Sequence, residues 1–183
     1  LFYDFLAACR AMSGESRFSA GLPRGYDTVI FEGAQGLLLD AKNTAYSPYL
    51  TPSRTGLTNV RTLADGMDLE AVYVTRAYLT RHGAGPFPTE DVGLSYRDET
   101  NAPNAFQGSL RFGALDPAGL AQRVADDAGS VPWSIAVTCL DQVPNGAAVL
   151  HGVVTACDRP QWYTSHGPTR EHVQCVQLVP TCA

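Results

Sequence analysis

Between Phe2 and Met12 the apolar residues Phe2, Phe5, Leu6, Cys9 and Met12 recur at intervals of three and four, and Ser13 and Gly14 supply a stop. That period places them on one face of an amphipathic helix. Beyond the turn Gly21-Leu-Pro-Arg-Gly25 the pattern changes. Tyr26-Asp-Thr-Val-Ile-Phe31 is β-branched and aromatic and is halted by Glu32-Gly33, so a buried strand is expected, running into a glycine-bounded loop. Leu69 to Tyr78 (L-E-A-V-Y-V-T-R-A-Y) and Ser134 to Leu140 (S-I-A-V-T-C-L) read as strands by the same criterion, with Ala147 to Thr155 and Arg170 to Val179 as further strand candidates. Asp116-Pro117 supplies an N-cap and a first helical residue for a helix through Asp127, with Leu120, Ala121 and Val124 on its inner face.

Strands alternating with helices predict an α/β fold, with a mainly parallel sheet flanked by helices whose strand ends carry the loops. The expectation is a single α/β domain over residues 1–183. The Pro-, Gly- and Asn-rich stretch 92–113 is expected to be a flexible loop.

Composition narrows the functional classes. The 183 residues are 45% hydrophobic, enough for a sizeable core, and the formal net charge is -5 with 13 scattered Lys and Arg. A surface for nucleic acid or an anionic membrane is not expected. A small anion held by single arginines remains compatible. No apolar run approaches the roughly 18 residues needed to span a bilayer, and the cytoplasm is the expected location. Cys9, Cys139, Cys157, Cys175 and Cys182 are odd in number and lack a C-x-x-C spacing, so free thiols are expected. His82, His151, His166 and His172 show no ligand spacing, and no metal is expected to be held by this chain alone. The chain starts at Leu1, inside the apolar pattern of its first helix, which reads as part of something longer.

Four expected strand-to-loop junctions carry the candidate chemistry: F-E-G-A-Q-G (31–36), T-R-H-G-A-G-P-F-P-T-E (80–90), T-C-L-D (138–141) and T-S-H-G-P-T-R (164–170). Ends of parallel strands are where ligands bind. In the first, glycines let backbone N–H groups face a ligand and Gln35 offers both a donor and an acceptor, although a plain tight turn uses the same residues. In the second, two glycines and two prolines around Phe87 make a rigid turn. In the third, the Asp141 carboxylate can accept paired hydrogen bonds from N1–H and the 2-amino group of guanine, and can equally be a surface or capping aspartate. In the fourth, Gly167-Pro168 can lie flat against a planar base, while Arg170 can pair with a carboxylate. Arg76, Arg81 and Arg111 can each meet phosphate or be ion-paired.

In order, spacing and wording these segments resemble the adenylosuccinate synthetase family, enzymes that join aspartate to IMP using GTP and Mg2+ in purine nucleotide biosynthesis. The matching runs are F-E-G-A-Q-G-L-L-L-D (31–40), L-T-P-S-R (50–54), T-R-H-G-A-G-P-F-P-T-E, Q-G-S-L-R-F-G-A-L-D (107–116), T-C-L-D and S-H-G-P-T-R, over residues 26–178. The resemblance implies a partial domain of the family's P-loop-NTPase-related fold. It implies that Gln35 and Thr51 contact the purine monophosphate, and that Arg111 faces the phosphates of both nucleotides and the aspartate. It further implies that Cys139 and Asp141 sit at the guanine, that Ser165, His166 and Gly167 line the base pocket, and that Arg81 and Glu90 brace the rigid turn. A homodimer is the family's common assembly.

The departures from the family pattern are specific. Cys139 stands where the family has a base-covering lysine, and of the arginine-rich segment only Arg111 remains. Residues 51–59 resemble divergent phage enzymes that accept a 2-amino purine nucleotide. The family's G-D-E-G-K-G-K phosphate loop, with its catalytic aspartate, and its catalytic histidine precede all of these motifs, and neither occurs in the 183 residues. Phosphoryl transfer depends on such positioning and electrostatics, so no catalytic residue is assigned and the chain alone is expected not to catalyse. Two readings follow: the C-terminal portion of an adenylosuccinate-synthetase-like ligase, or a noncatalytic purine-nucleotide-binding or interaction module derived from that family.

Overall fold

A computed structural model describes residues 2–15, 21, 25–64, 66–98 and 100–177. Its centre is a four-stranded sheet made of β1 (Ala71–Arg76), β4 (Trp133–Thr138), β5 (Gln161–Ser165) and β6 (Val173–Gln177), in the order β1-β4-β5-β6. The first three strands are parallel and β6 returns antiparallel to β5. After Ala77 the chain leaves β1 and forms β2 (Tyr78–Arg81), which pairs antiparallel with β3 (Arg111–Ala114) in a separate two-stranded sheet. Three helices complete the main body: α2 (Thr58–Leu63), α3 (Pro117–Ala128) and α4 (Gly146–Cys157). The α/β architecture with a mainly parallel sheet is the one read from the sequence.

The helix α3 begins where Asp116 predicts it. The Asp116 carboxylate accepts from the Gly119 amide at 3.0 Å, Pro117 opens the first turn, and Gly129 ends the helix with φ of 53°. The expected helix at the N-terminus is α1 (Phe2–Glu15), although it buries none of its residues.

Two expectations are overturned. The run 147–155, read as a strand, lies inside α4. The reason is topological: β4 and β5 are parallel neighbours, and parallel neighbours require a crossover, which here is α4. The β-branched run still makes a workable helix face, since Val153 and Cys157 are buried while His151 and Thr155 point to solvent. The run 26–31, read as a buried strand, has no regular secondary structure, and Ile30 is 88% exposed. A strand exists only through its neighbour, and no described strand pairs with this run. For the last strand candidate, Arg170–His172 form a 3-10 turn, β6 begins at Val173, and residues 178–179 lie outside the described residues.

The core lies on one side of the four-stranded sheet. Ile135 and Val137 of β4 meet Val124 of α3 and Val153 of α4, all at most 1% exposed. Burial of each such side chain contributes roughly 1.5–3 kcal/mol. The opposite side is apolar and open among the described residues: Val72, Val74 and Val173 are 48%, 69% and 49% exposed and, with Tyr163 and Thr138, line a shallow groove of about 330 Å³.

Candidate functional site

The C-terminal ends of β4 and β5 lie side by side, which brings T-C-L-D and S-H-G-P-T-R together. The Leu140 amide donates to the Ser165 carbonyl at 3.2 Å across this edge. Cys139 turns the chain out of β4 in the left-handed conformation, φ 60°, and Asp141 follows it exposed to solvent. Ser165 is buried and donates its hydroxyl to the Gly167 carbonyl at 2.9 Å, closing the second turn on itself.

Gly167 in that turn has no room for a side chain, because an added Cβ would meet the His172 ring 2.7 Å away. The same imidazole is fixed by the Thr169 hydroxyl, 2.9 Å from Nδ1, and the His166 amide donates to the His172 carbonyl at 3.2 Å. His172 is therefore the brace under the 165–170 turn. Sequence reasoning weighed this histidine only as a metal ligand; the signal available was its position just past the S-H-G-P-T-R turn.

Tyr78, at the start of β2, ties the T-C-L-D segment to the second sheet. Its hydroxyl donates to Gln142 Oε1 at 2.6 Å, and its ring stacks on Tyr96 with centroids 4.0 Å apart. Burial first, and then the neighbouring Cys139 thiol, push its phenol up to about 12. The hydroxyl thus stays protonated and remains a donor at neutral pH.

The loop carrying Gln35 and Thr51 is organised around one buried carboxylate. Asp40, 3% exposed, accepts from the amides of Lys42 and Thr55 at 2.9 and 2.8 Å and from Arg54 Nε at 2.9 Å. The Thr51 amide donates to the Leu39 carbonyl, and the Thr55 hydroxyl donates to the Gly36 carbonyl. These bonds fold 36–55 back on itself and leave Gln35 at the outer end with φ of 74° and its side chain exposed. Arg54 is occupied by this pairing.

The rigid turn expected within 80–90 is present between β2 and β3, from residue 82 onward. Gly83 and Gly85 both have positive φ, 83° and 114°, angles that L residues rarely adopt. Arg81, 8% exposed, donates to the Ala84 carbonyl from Nε and Nη2 and to the Tyr49 carbonyl from Nη2 at 2.8 Å. That last bond joins the turn to the Gln35–Thr51 loop. Arg111 pairs with Glu90 and donates to the carbonyls of Gly83 and Gly85.

Arg76, at the end of β1, is ion-paired with Asp98 at 3.2 Å. Asp98 also accepts from the amides and side chains of Thr100 and Asn101. Burial acts to raise the pKa of this carboxyl, but these bonds outweigh burial and hold it well below the ordinary range.

The sequence-predicted residues therefore form two groups. Cys139, Asp141, Ser165, His166 and Gly167 share one sheet edge. Gln35 and Thr51 share one loop, which Arg81 ties to the turn gripped by Arg111. Among the described residues no hydrogen bond joins the Gln35–Thr51 loop directly to Asp141. The two groups are connected through β2, by Tyr78 at its first residue and Arg81 at its last.

A family profile described as adenylosuccinate synthetase matches residues 16–149, more than half of the chain. The chain belongs to the adenylosuccinate synthetase family. Among curated relatives, the adenylosuccinate synthetase of Clostridium botulinum (strain Eklund 17B / Type B) is 50% identical over 96 residues, which is 49% of this chain and 22% of that protein. That of Hamiltonella defensa is 41% identical over 105 residues, 54% of this chain and 24% of that protein. The match to these relatives thus spans less than a quarter of their length. In fold, the chain is similar to the cyanophage S-2L succinoaminodeoxyadenylate synthetase, PurZ, solved with dGMP and with dATP as an energy donor. The TM-score is 0.56 at 16% identity, over 78% of this chain and 44% of PurZ. Adenylosuccinate synthetases are purine-biosynthesis ligases, and membership places this chain's motifs in that context. No described helix is long and apolar enough to cross a membrane.

Proposed function

We propose that this chain carries the purine-binding portion of an adenylosuccinate-synthetase-like ligase, in which aspartate is joined to IMP or a 2-amino purine nucleotide with GTP as the energy donor. The observation that carries the reading is the meeting of T-C-L-D and S-H-G-P-T-R at the C-terminal edge of the parallel sheet, where the Leu140 amide bonds the Ser165 carbonyl. Ligands of open α/β sheets sit beyond that edge.

In this reading Asp141 accepts from guanine N1–H and its 2-amino group, and Cys139 lies beside the base where a longer stem would cover it. Ser165, His166 and Gly167 form the flat floor, stiffened by His172. Gln35 and Thr51 take the acceptor monophosphate, with Arg111 bordering their loop. The chain's own residues bind and orient the two nucleotides. The G-D-E-G-K-G-K segment that would cradle the phosphates is absent from the 183 residues. Among the described residues no three His, Cys, Asp or Glu side chains gather as a metal site. Mg2+ is commonly held by substrate phosphates, waters and one or two carboxylates, so no residue of this chain is assigned to it and no step is routed through it.

Both acceptors belong to the reading: the curated relatives at 41–50% identity are adenylosuccinate synthetases, while residues 51–59 diverge from the common form and the neighbour in fold was solved with dGMP. Calorimetry of the chain with GTP, IMP and dGMP tests the assignment, and binding of GTP and dGMP at separate sites is expected. Binding without turnover, in the longest natural form of the protein as well, would favour the noncatalytic module. Asp141→Asn should weaken GTP about tenfold while leaving the acceptor affinity unchanged, because a single amide oxygen replaces a charged acceptor pair. Equal losses for both nucleotides would remove Asp141 from the guanine.

A further inference from the structure

In the antiparallel register of β2 and β3, Arg81 stands opposite Arg111, two like charges side by side at the mouth of the 82–90 turn. Such a pair resembles a phosphate grip, and the Arg111 side chain is 27% exposed, so an anion can reach it. Its donors point elsewhere. Nε donates to Glu90 Oε1 at 2.7 Å, Nη2 to Glu90 Oε2, and Nη1 to both the Gly83 and the Gly85 carbonyls at 3.1 and 3.0 Å. Four of the five guanidinium N–H groups are thereby occupied.

Arg81 takes the carbonyl between those two, Ala84, and reaches on to the Tyr49 carbonyl. The two arginines together capture the three successive carbonyls 83, 84 and 85. Glu90 is the counter-charge that lets them sit together, and the Phe87 ring lies under the Arg111 guanidinium, 5.5 Å from its centroid.

We propose that Arg111 is a positioning residue: with Glu90 it clamps the 82–90 turn, and through Arg81 and Tyr49 the turn sets the Gln35–Thr51 loop, while phosphate is not its partner. This rests on the nucleotide reading above. The clamp explains why Arg111 remains where the other arginines of its segment are missing, because a residue held by a carboxylate and two carbonyls serves the turn whatever the ligand is.

The sign of the Glu90 effect decides between the two roles. If Arg111 met a phosphate, Glu90→Gln would free its guanidinium and tighten dGMP or IMP. If Arg111 is a clamp, Glu90→Gln and Arg111→Lys each weaken the acceptor nucleotide about tenfold, and the double variant is no weaker than the worse single one. Calorimetry with dGMP and IMP reads the affinities. Hydrogen exchange of the ligand-free protein reads the amides of 83–90, which should exchange faster in both variants while those of β4 remain protected, showing that the core is intact. Tighter nucleotide binding in Glu90→Gln, additive losses, or unchanged exchange at 83–90 would each overturn the proposal. A wild-type chain that binds none of these nucleotides would overturn the functional reading and the role in binding that rests on it. The ligand-free exchange would still decide the clamp.

Discussion

Gly85→Ala is expected to destabilise the chain by about 3 kcal/mol, from a left-handed backbone that alanine resists and from collision with packed atoms. Gly85 has φ of 114°, and a Cβ placed on it would strike the Arg81 guanidinium and the Tyr49 side chain. Neither neighbour can move away cheaply. Arg81 is held by the carbonyls of Ala84 and Tyr49 and is itself buried, so a shift breaks the bond that ties the turn to the Gln35–Thr51 loop. Gly83→Ala supplies the control. Its φ of 83° carries the same kind of strain, but its added Cβ would meet only Gln107 Cγ, at 4.0 Å, so a cost of about 1 kcal/mol is expected. Urea unfolding of both variants measures the difference. Equal costs would mean that the close approach of Arg81 and Tyr49 contributes nothing.

Asp40→Asn is expected to cost about 2 kcal/mol, because it leaves Arg54 without its counter-charge and at least one loop amide without an acceptor. The same carboxylate makes stability depend on acid. Burial alone would raise the Asp40 pKa, but the Lys42 and Thr55 amides and the Arg54 charge outweigh burial and lower it to about 2 from 3.8. A carboxyl whose folded pKa lies below its unfolded value stabilises fully above the unfolded value and loses that contribution as pH falls through the folded one. The contribution of Asp40 should therefore fade between roughly pH 4 and pH 2, and Asp40→Asn should lack that part of the slope. Unfolding midpoints of the two proteins from pH 6 to pH 2 give the comparison. Parallel curves across the acid range would show that Asp40 is not held as a stabilised anion.

Legibility in the sequence followed how local each feature is. Asp116 and Pro117 announce α3 because an N-cap and a fixed φ act within one turn of chain, and both act as expected. The wording of E-G-A-Q-G and G-A-G-P-F-P-T-E marked the family, and the match over residues 16–149 agrees. The strand reading of 147–155 failed for a non-local reason. Its β-branched residues suit either element, and the parallel pairing of β4 with β5 is what requires a helix there. The run 26–31 has every strand signal and no described partner, so propensity alone does not make it a strand.

The sequence by itself determined the helix opened by Asp116 and Pro117, the rigid turn within 80–90 and the family, because capping, backbone restriction and motif spacing are written in neighbouring residues. The tertiary structure decided the partners: that Arg111 turns inward to Glu90 and the Gly83 and Gly85 carbonyls, that Asp40 organises the loop of Gln35 and Thr51, and that His172 supports Gly167. A charged side chain reads the same in sequence whether it faces a ligand or a carbonyl. Only packing determines which acceptors come within reach of its donors, and those acceptors can lie more than twenty residues away along the chain.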